Sequence, residues 1–123
     1  DITGFGFLGH AYEMVNGSGV TFEFSVREIP WLPQAREMAQ LGLVPAGAYS
    51  NRSFLADQVA FVGTVAEEEK DLLFDPQTSG GLLIAIPESQ ANELLNRLKN
   101  RGETGWVVGR VCAAAARPIL VCG

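Results

Sequence analysis

The chain has 123 residues, 47% of them apolar, and a formal net charge of −5. That length supports one domain with its own core, the apolar content excludes disorder, and no apolar run reaches the roughly 20 residues that span a bilayer. There is no basic-then-apolar leader and no Lys/Arg cluster, so neither a nucleic-acid surface nor an anionic-membrane patch is expected.

The first predicted element is a helix over about residues 3–16. Phe5, Leu8, Tyr12 and Val15 recur at helical spacing, and Phe7, Ala11 and Met14 make the other side apolar as well. Such a helix is buried on both sides. Gly4, Gly6 and Gly9 each weaken it by up to about 1 kcal/mol, which is tolerable where backbone must approach another segment. Asn16–Gly19 ends it. Alternation from Val20 to Val26 predicts a half-exposed strand.

Pro30 and Pro33 bracket a loop, and a short helix runs from about Pro33 to Gln40. Val44–Ser50 reads as irregular, Ser53–Phe61 as helical, and Ala66–Phe74 as a helix whose start, Glu67–Glu69, is solvated. Pro76 stops that helix. Leu82–Ile86, apolar throughout, predicts a strand covered on both faces. Pro87–Asn100 is a patterned helix with Ala91, Leu94, Leu95 and Leu98 on one stripe, and Trp106–Val111 and Ile119–Cys122 are the last strands. Four strands and about five helices follow, so the expected fold is α+β, a mixed sheet with helices packed on it, as one domain over residues 1–123.

Some residues bear on chemistry. In Asp75-Pro-Gln-Thr-Ser-Gly-Gly81 the glycines permit unusual backbone shapes or close approaches, and the Thr78 and Ser79 hydroxyls with nearby amides suit a phosphate, a neighbouring domain, or a simple helix-to-strand connector. Asp1, ahead of a glycine-rich helix start, suits Mg²⁺ held between protein and phosphate oxygens, or a helix cap; one Asp alone does not form a metal site. The amides of Thr3, Gly4 and Gly6 can approach phosphate at a helix N-terminus, with close helix packing as the other reading. His10, the single histidine, reads as a hydrogen-bonded structural residue in preference to a general base. Asn51-Arg52 is read as a loop pair that either meets a phosphate or is solvated. Cys112 and Cys122 fit no metal spacing and read as small buried hydrophobes. No Ser/His/Asp order or paired carboxylates can be argued, so no residue is assigned as catalytic.

Asp1-Ile-Thr-Gly-Phe-Gly-Phe-Leu-Gly-His10 followed by Asp75-Pro-Gln-Thr-Ser-Gly-Gly-Leu-Leu83 resembles the C-terminal domain of selenophosphate synthetases (selenide, water dikinases), within the wider family of ATP-using enzymes built like aminoimidazole ribonucleotide synthetase. Ile29-Pro-Trp-Leu-Pro-Gln-Ala35, Leu41-Gly-Leu-Val-Pro45 and Ala46-Gly-Ala-Tyr-Ser-Asn-Arg52 follow the family's order of segments, with Ala46 where the family usually has a second glycine. The resemblance implies an enzyme that converts ATP, selenide and water to selenophosphate, AMP and phosphate. It further implies Mg²⁺ with Asp1 as one ligand, a cytoplasmic homodimer, and an N-terminal ATP-binding domain outside this chain. The chain opens directly on a motif, so it reads as part of something longer and is expected to be inactive alone. The alternatives are a domain of another ATP-dependent relative, or a non-catalytic small-molecule-binding or interaction module.

Overall fold

The alternating run after the first helix becomes the centre of the sheet. In a computed structural model that describes residues 1–77 and 79–123, β1 (Val20–Ser25) is flanked on both sides. It pairs antiparallel with β3 (Gly109–Ala113) and parallel with β4 (Ile119–Cys122), and β4 pairs parallel with β2 (Val59–Val62). The strand order is β2-β4-β1-β3. Alternation does what it predicts. Phe22 and Phe24 point into the core, while Glu23 on the other face meets its cross-strand partner Arg110 at 2.8 Å. Thr21 is buried, but its hydroxyl is satisfied: it donates to the Arg117 carbonyl at 3.1 Å and accepts from the Ala115 N–H at 2.8 Å.

Helix α1 (Gly6–Val15) lies against β1 and β4, burying Leu8, Ala11 and Val15 beside Phe22, Phe24, Ile119 and Val121. Phe7 on its flank meets Phe24 edge-on, ring centroids 4.8 Å apart, but Phe5 and Met14 are exposed, so the expected burial on both sides is met only in part. Helices α2 (Ala35–Gln40), α3 (Ala46–Phe54) and α4 (Glu67–Leu73) form a second group, with α4 adding Leu73 to the core and Phe74 following directly after it. Side chains of that size contribute about 1.5–3 kcal/mol each when fully buried.

The α+β class is as expected, but three elements differ. Residues 46–54, read in part as irregular, form α3, and Ala46 simply opens that helix. The predicted helix over Ser53–Phe61 ends at Phe54, and Val59–Val62 is instead the edge strand β2. Four apolar residues fit a helix or a strand equally well, and here the free edge of parallel β4 decides. Leu82–Ile86 is not a strand. The sheet ends at β2 and β3, the segment pairs with neither, and Leu82 and Ile84 are 72% and 49% exposed. The next helix, α5 (Glu88–Asn100), buries no residue fully. Its stripe is crossed by the returning chain at Gly105, where a Cβ would lie 2.9 Å from both Leu95 and Leu98. β3 begins at Gly109, later than the predicted Trp106.

The candidate site at the joint of two motifs

The segments 1–10 and 75–81 lie far apart in the chain and are bonded to each other in the fold. The Ile2 N–H donates to the Gly81 carbonyl and the Gly80 N–H to the Ile2 carbonyl, both at 2.9 Å. The Thr3 carbonyl accepts from the Gly6 and Gln77 N–H groups at 3.0 and 3.1 Å. From α3, the Asn51 amide donates to the carbonyls of Gly4 (3.0 Å) and Phe74 (2.9 Å), clamping both motifs.

Two glycines make this approach possible. A Cβ at Gly80 would stand 2.7 Å from Ile2, and one at Gly6 would stand 2.8 Å from the Phe74 carbonyl, with φ already at +73°. The double-glycine turn is therefore a backbone seat for the N-terminal segment. Ser79 is exposed, and the part of the expectation that concerns Thr78 lies outside the described residues.

Asp75 sits at the base of this joint. Its Oδ2 accepts from the Gln77 side-chain amide, and its Oδ1 is buried with no hydrogen-bond partner among the described residues. Burial pushes this carboxyl above its ordinary range, and the Gln77 hydrogen bond offsets part of that rise.

The outward side of the joint carries the residues singled out for chemistry. Asp1, Ile2, His10, Glu13, Met14 and Leu83 line a shallow cleft of about 230 Å³. Asp1 is exposed and, among the described residues, makes no ion pair or side-chain hydrogen bond. It is not the cap of α1, because that helix starts at Gly6 with Phe5 at the cap position. Thr3 and Gly4 precede the helix and are not in it; their N–H groups bond no backbone carbonyl among the described residues, and nothing lies within 4 Å of a Cβ at Gly4.

His10 is hydrogen-bonded on both ring nitrogens, Nε2 to Thr3 Oγ1 at 3.0 Å and Nδ1 to Glu13 Oε2 at 2.7 Å, with the Phe5 ring 5.5 Å away. A structural, part-buried histidine was expected, but the hydroxyl–imidazole–carboxylate chain was not. The spacing of His10 and Glu13 on one helix face was its only visible half.

Arg52 is part-exposed, and its guanidinium is taken up by two carboxylates instead of standing free in a loop. It lies in α3 and pairs with Asp71 at 2.6 Å and Glu67 at 2.9 Å on α4, and the Glu67 hydrogen bond, ahead of that to Asp71, raises its pKa. The acidic start of α4 is likewise not simply solvated. Glu67 also meets Lys70, Glu68 accepts from Gln40, and Glu69 pairs with Arg36 and accepts from the Ala66 N–H. Cys112 and Cys122 are free, half-buried thiols at opposite ends of β1, beside Thr21 and Ser25.

For a Mg²⁺ ion the fit is partial and specific. Among the described residues no three His, Cys, Asp or Glu side chains converge. The exposed Asp1 carboxylate offers one hard oxygen at the edge of a cleft, and an ion there would need its remaining ligands from phosphate, water or another domain.

Residues 1–119 match the family described as AIR synthase related protein, C-terminal domain. The chain belongs to that family. Among curated relatives of this AIR synthase related domain, selenide, water dikinase 2 of Peptoclostridium acidaminophilum is 47% identical over 98% of this chain and 35% of its own length. Selenide, water dikinase of Caldanaerobacter subterraneus subsp. tengcongensis is 53% identical over 90% of this chain and 32% of its own. That of Campylobacter jejuni is 40% identical over 98% and 34%. The chain thus spans about a third of the length of the curated relatives it matches. The resemblance read from the two motifs is borne out. No described helix is long and apolar enough to cross a membrane.

Proposed function

We propose that this chain is the C-terminal domain of a selenide, water dikinase, an enzyme that converts ATP, selenide and water to selenophosphate, AMP and phosphate. The observation that carries this reading is the joint itself: the two motifs of the resemblance are hydrogen-bonded to each other and leave Asp1 exposed at a cleft rim. The relatives named above support the choice of dikinase over other ATP-dependent members of the family. The nucleotide-binding domain, with the rest of the metal ligands and the dimer contact, lies outside this chain, and the whole enzyme works in the cytoplasm.

In this reading the domain closes over the nucleotide. Asp1 is one ligand of Mg²⁺, which when bound offsets phosphate charge. The amides of Thr3 and Gly4 face the phosphates, and the joint of Ile2 with Gly80 behind them keeps the segment rigid. Closure also excludes bulk water, which would otherwise intercept a phosphorylated intermediate.

The test is AMP formation from ATP by the longer protein that contains this domain, with and without selenide. The expected result is selenide-dependent AMP, and none from the 123-residue chain alone. ATP turnover by the longer protein that ignores selenide would overturn the assignment.

A further inference from the structure

Residues 82–86 combine the sequence of a strand with an idle backbone. Among the described residues, none of the N–H or carbonyl groups of Leu82-Leu-Ile-Ala-Ile86 bonds another backbone group. Leu82 and Ile84 are exposed, while Leu83 between them packs against the core. The segment is seated on the core by one side chain and open along its edge, which is how a strand without its neighbour presents itself.

A ladder toward that edge has its first rungs in place. Ile2 donates to Gly81 and accepts from Gly80, and one residue further on Thr3 accepts from Gln77. The two segments therefore run antiparallel, with Gly80 and Gly81 together opposing Ile2 as at a β-bulge. Continued the other way, this register sets Asp1 against Leu82 and the residue that precedes Asp1 against Leu83. Burial agrees with it. Residues opposite each other share a face, and Asp1 and Leu82 are both exposed.

We propose that residues 82–86 are the receiving edge for the stretch of chain that immediately precedes Asp1 in the longer protein, which adds to them as an antiparallel strand. This rests on the reading given above. The family matched is a C-terminal domain and the chain spans about a third of its relatives' length, so in that reading the rest of the enzyme lies upstream. Tethering favours this occupant over a second copy of the chain, because an attached segment meets the edge at an effective concentration on the order of millimolar. The residue before Asp1 faces inward, as Ile2 does, and enters the cleft between Leu83 and Met14 of α1, while Asp1 keeps its outward place. Apolar residues are expected at that position and at each second one upstream. The added strand also covers the Met14 side of α1, which this chain alone leaves exposed.

The test is amide hydrogen exchange at residues 82–86 in the 123-residue chain and in the longer protein. In this register the Leu83 and Ala85 N–H groups donate to the added strand, so both should exchange at least about a hundredfold more slowly in the longer protein than in this chain alone. Fast exchange at both positions in the longer protein would overturn the proposal. So would protection in the 123-residue chain that grows with its concentration, which would make a second copy the occupant. Ala85→Pro is an independent check, since it removes the N–H and keeps the preceding residue extended. It should lower the thermal midpoint of the longer protein by several degrees and leave that of this chain nearly unchanged; equal shifts, or none in either, would contradict the added strand. Selenide-dependent AMP formation with fast exchange at Leu83 and Ala85 sinks this proposal alone. Slow exchange there without selenide-dependent AMP sinks the dikinase assignment and leaves the added strand standing.

Discussion

The sheet with α1 and the segment from residue 82 to residue 108 are both rich in apolar side chains, yet they are built differently. Around β1 and β4 those side chains interlock: Leu8, Phe74, Ile119 and Val121 are at most 1% exposed. Beyond the joint, Leu82, Ile84, Trp106 and Val107 are each about half exposed or more, and α5 buries none of its residues fully. Apolar composition makes a strand or helix willing to be buried; a partner must still be supplied. The first region holds the fold, and the second is attached to it.

That contrast breaks most directly by truncation. Phe74→Ala should cost about 3–5 kcal/mol, the range for emptying a large core site, whereas Ile84→Ala should stay within about 0.5 kcal/mol, as at the surface. Denaturant midpoints decide. Equal losses would mean that residues 82–108 are packed as tightly as the sheet.

A smaller effect contrasts two glycines within the joint. Gly80→Val drives a side chain into Ile2 and should destabilise by about 1–3 kcal/mol, while Gly4→Ala, facing open space, should change stability by no more than about 0.5 kcal/mol. Unchanged midpoints for Gly80→Val would remove the backbone seat from the account.

The third expectation sharpens the contrast through pH. Asp75 has a raised pKa in the fold, so the folded chain holds its proton more tightly than the unfolded chain does. Its stabilising contribution is therefore complete below the ordinary carboxylate pKa of about 3.9 and is lost as pH rises through the raised value. Glu67 and Glu68, at the start of α4, are shifted the other way, so their small contributions are present at neutral pH and fade as pH falls. Asp75→Asn should thus raise stability at pH 7 relative to pH 4 when compared with the unaltered chain. A pH–stability curve of unchanged shape would mean that the carboxyl is not held in a desolvated setting.

How much of this was legible depends on what each residue's pattern encodes. Period-2 alternation in Val20–Val26 and the stripe in residues 91–98 name their own geometry, and Gly and Pro mark where they stop. Val59–Val62 and Leu82–Ile86 carry no period, only apolarity, and the two were misassigned in opposite directions because pairing is a property of the sheet and not of the segment. At the site, Asp1, Thr3 and Gly4 stood out through the resemblance and the glycine-rich start. The bond between segments 1–3 and 77–81 has no local signature, since it joins backbone groups far apart in the chain. Arg52 misled for a related reason: an Arg near a presumed loop says nothing about the carboxylates of α4 that claim it.

In the proposed reading, the joint presents Asp1 for chemistry and not for packing. The direct measurement is Mg²⁺-dependent ATP turnover of the longer enzyme and its Asp1→Asn variant, with both thermal midpoints recorded. Because Asp1 is exposed and caps no helix, the midpoint should shift by no more than the equivalent of about 0.5 kcal/mol. Loss of a hard anionic ligand should lower turnover about tenfold or more at limiting Mg²⁺. Near-normal turnover at limiting Mg²⁺ with an unchanged midpoint would contradict the claim.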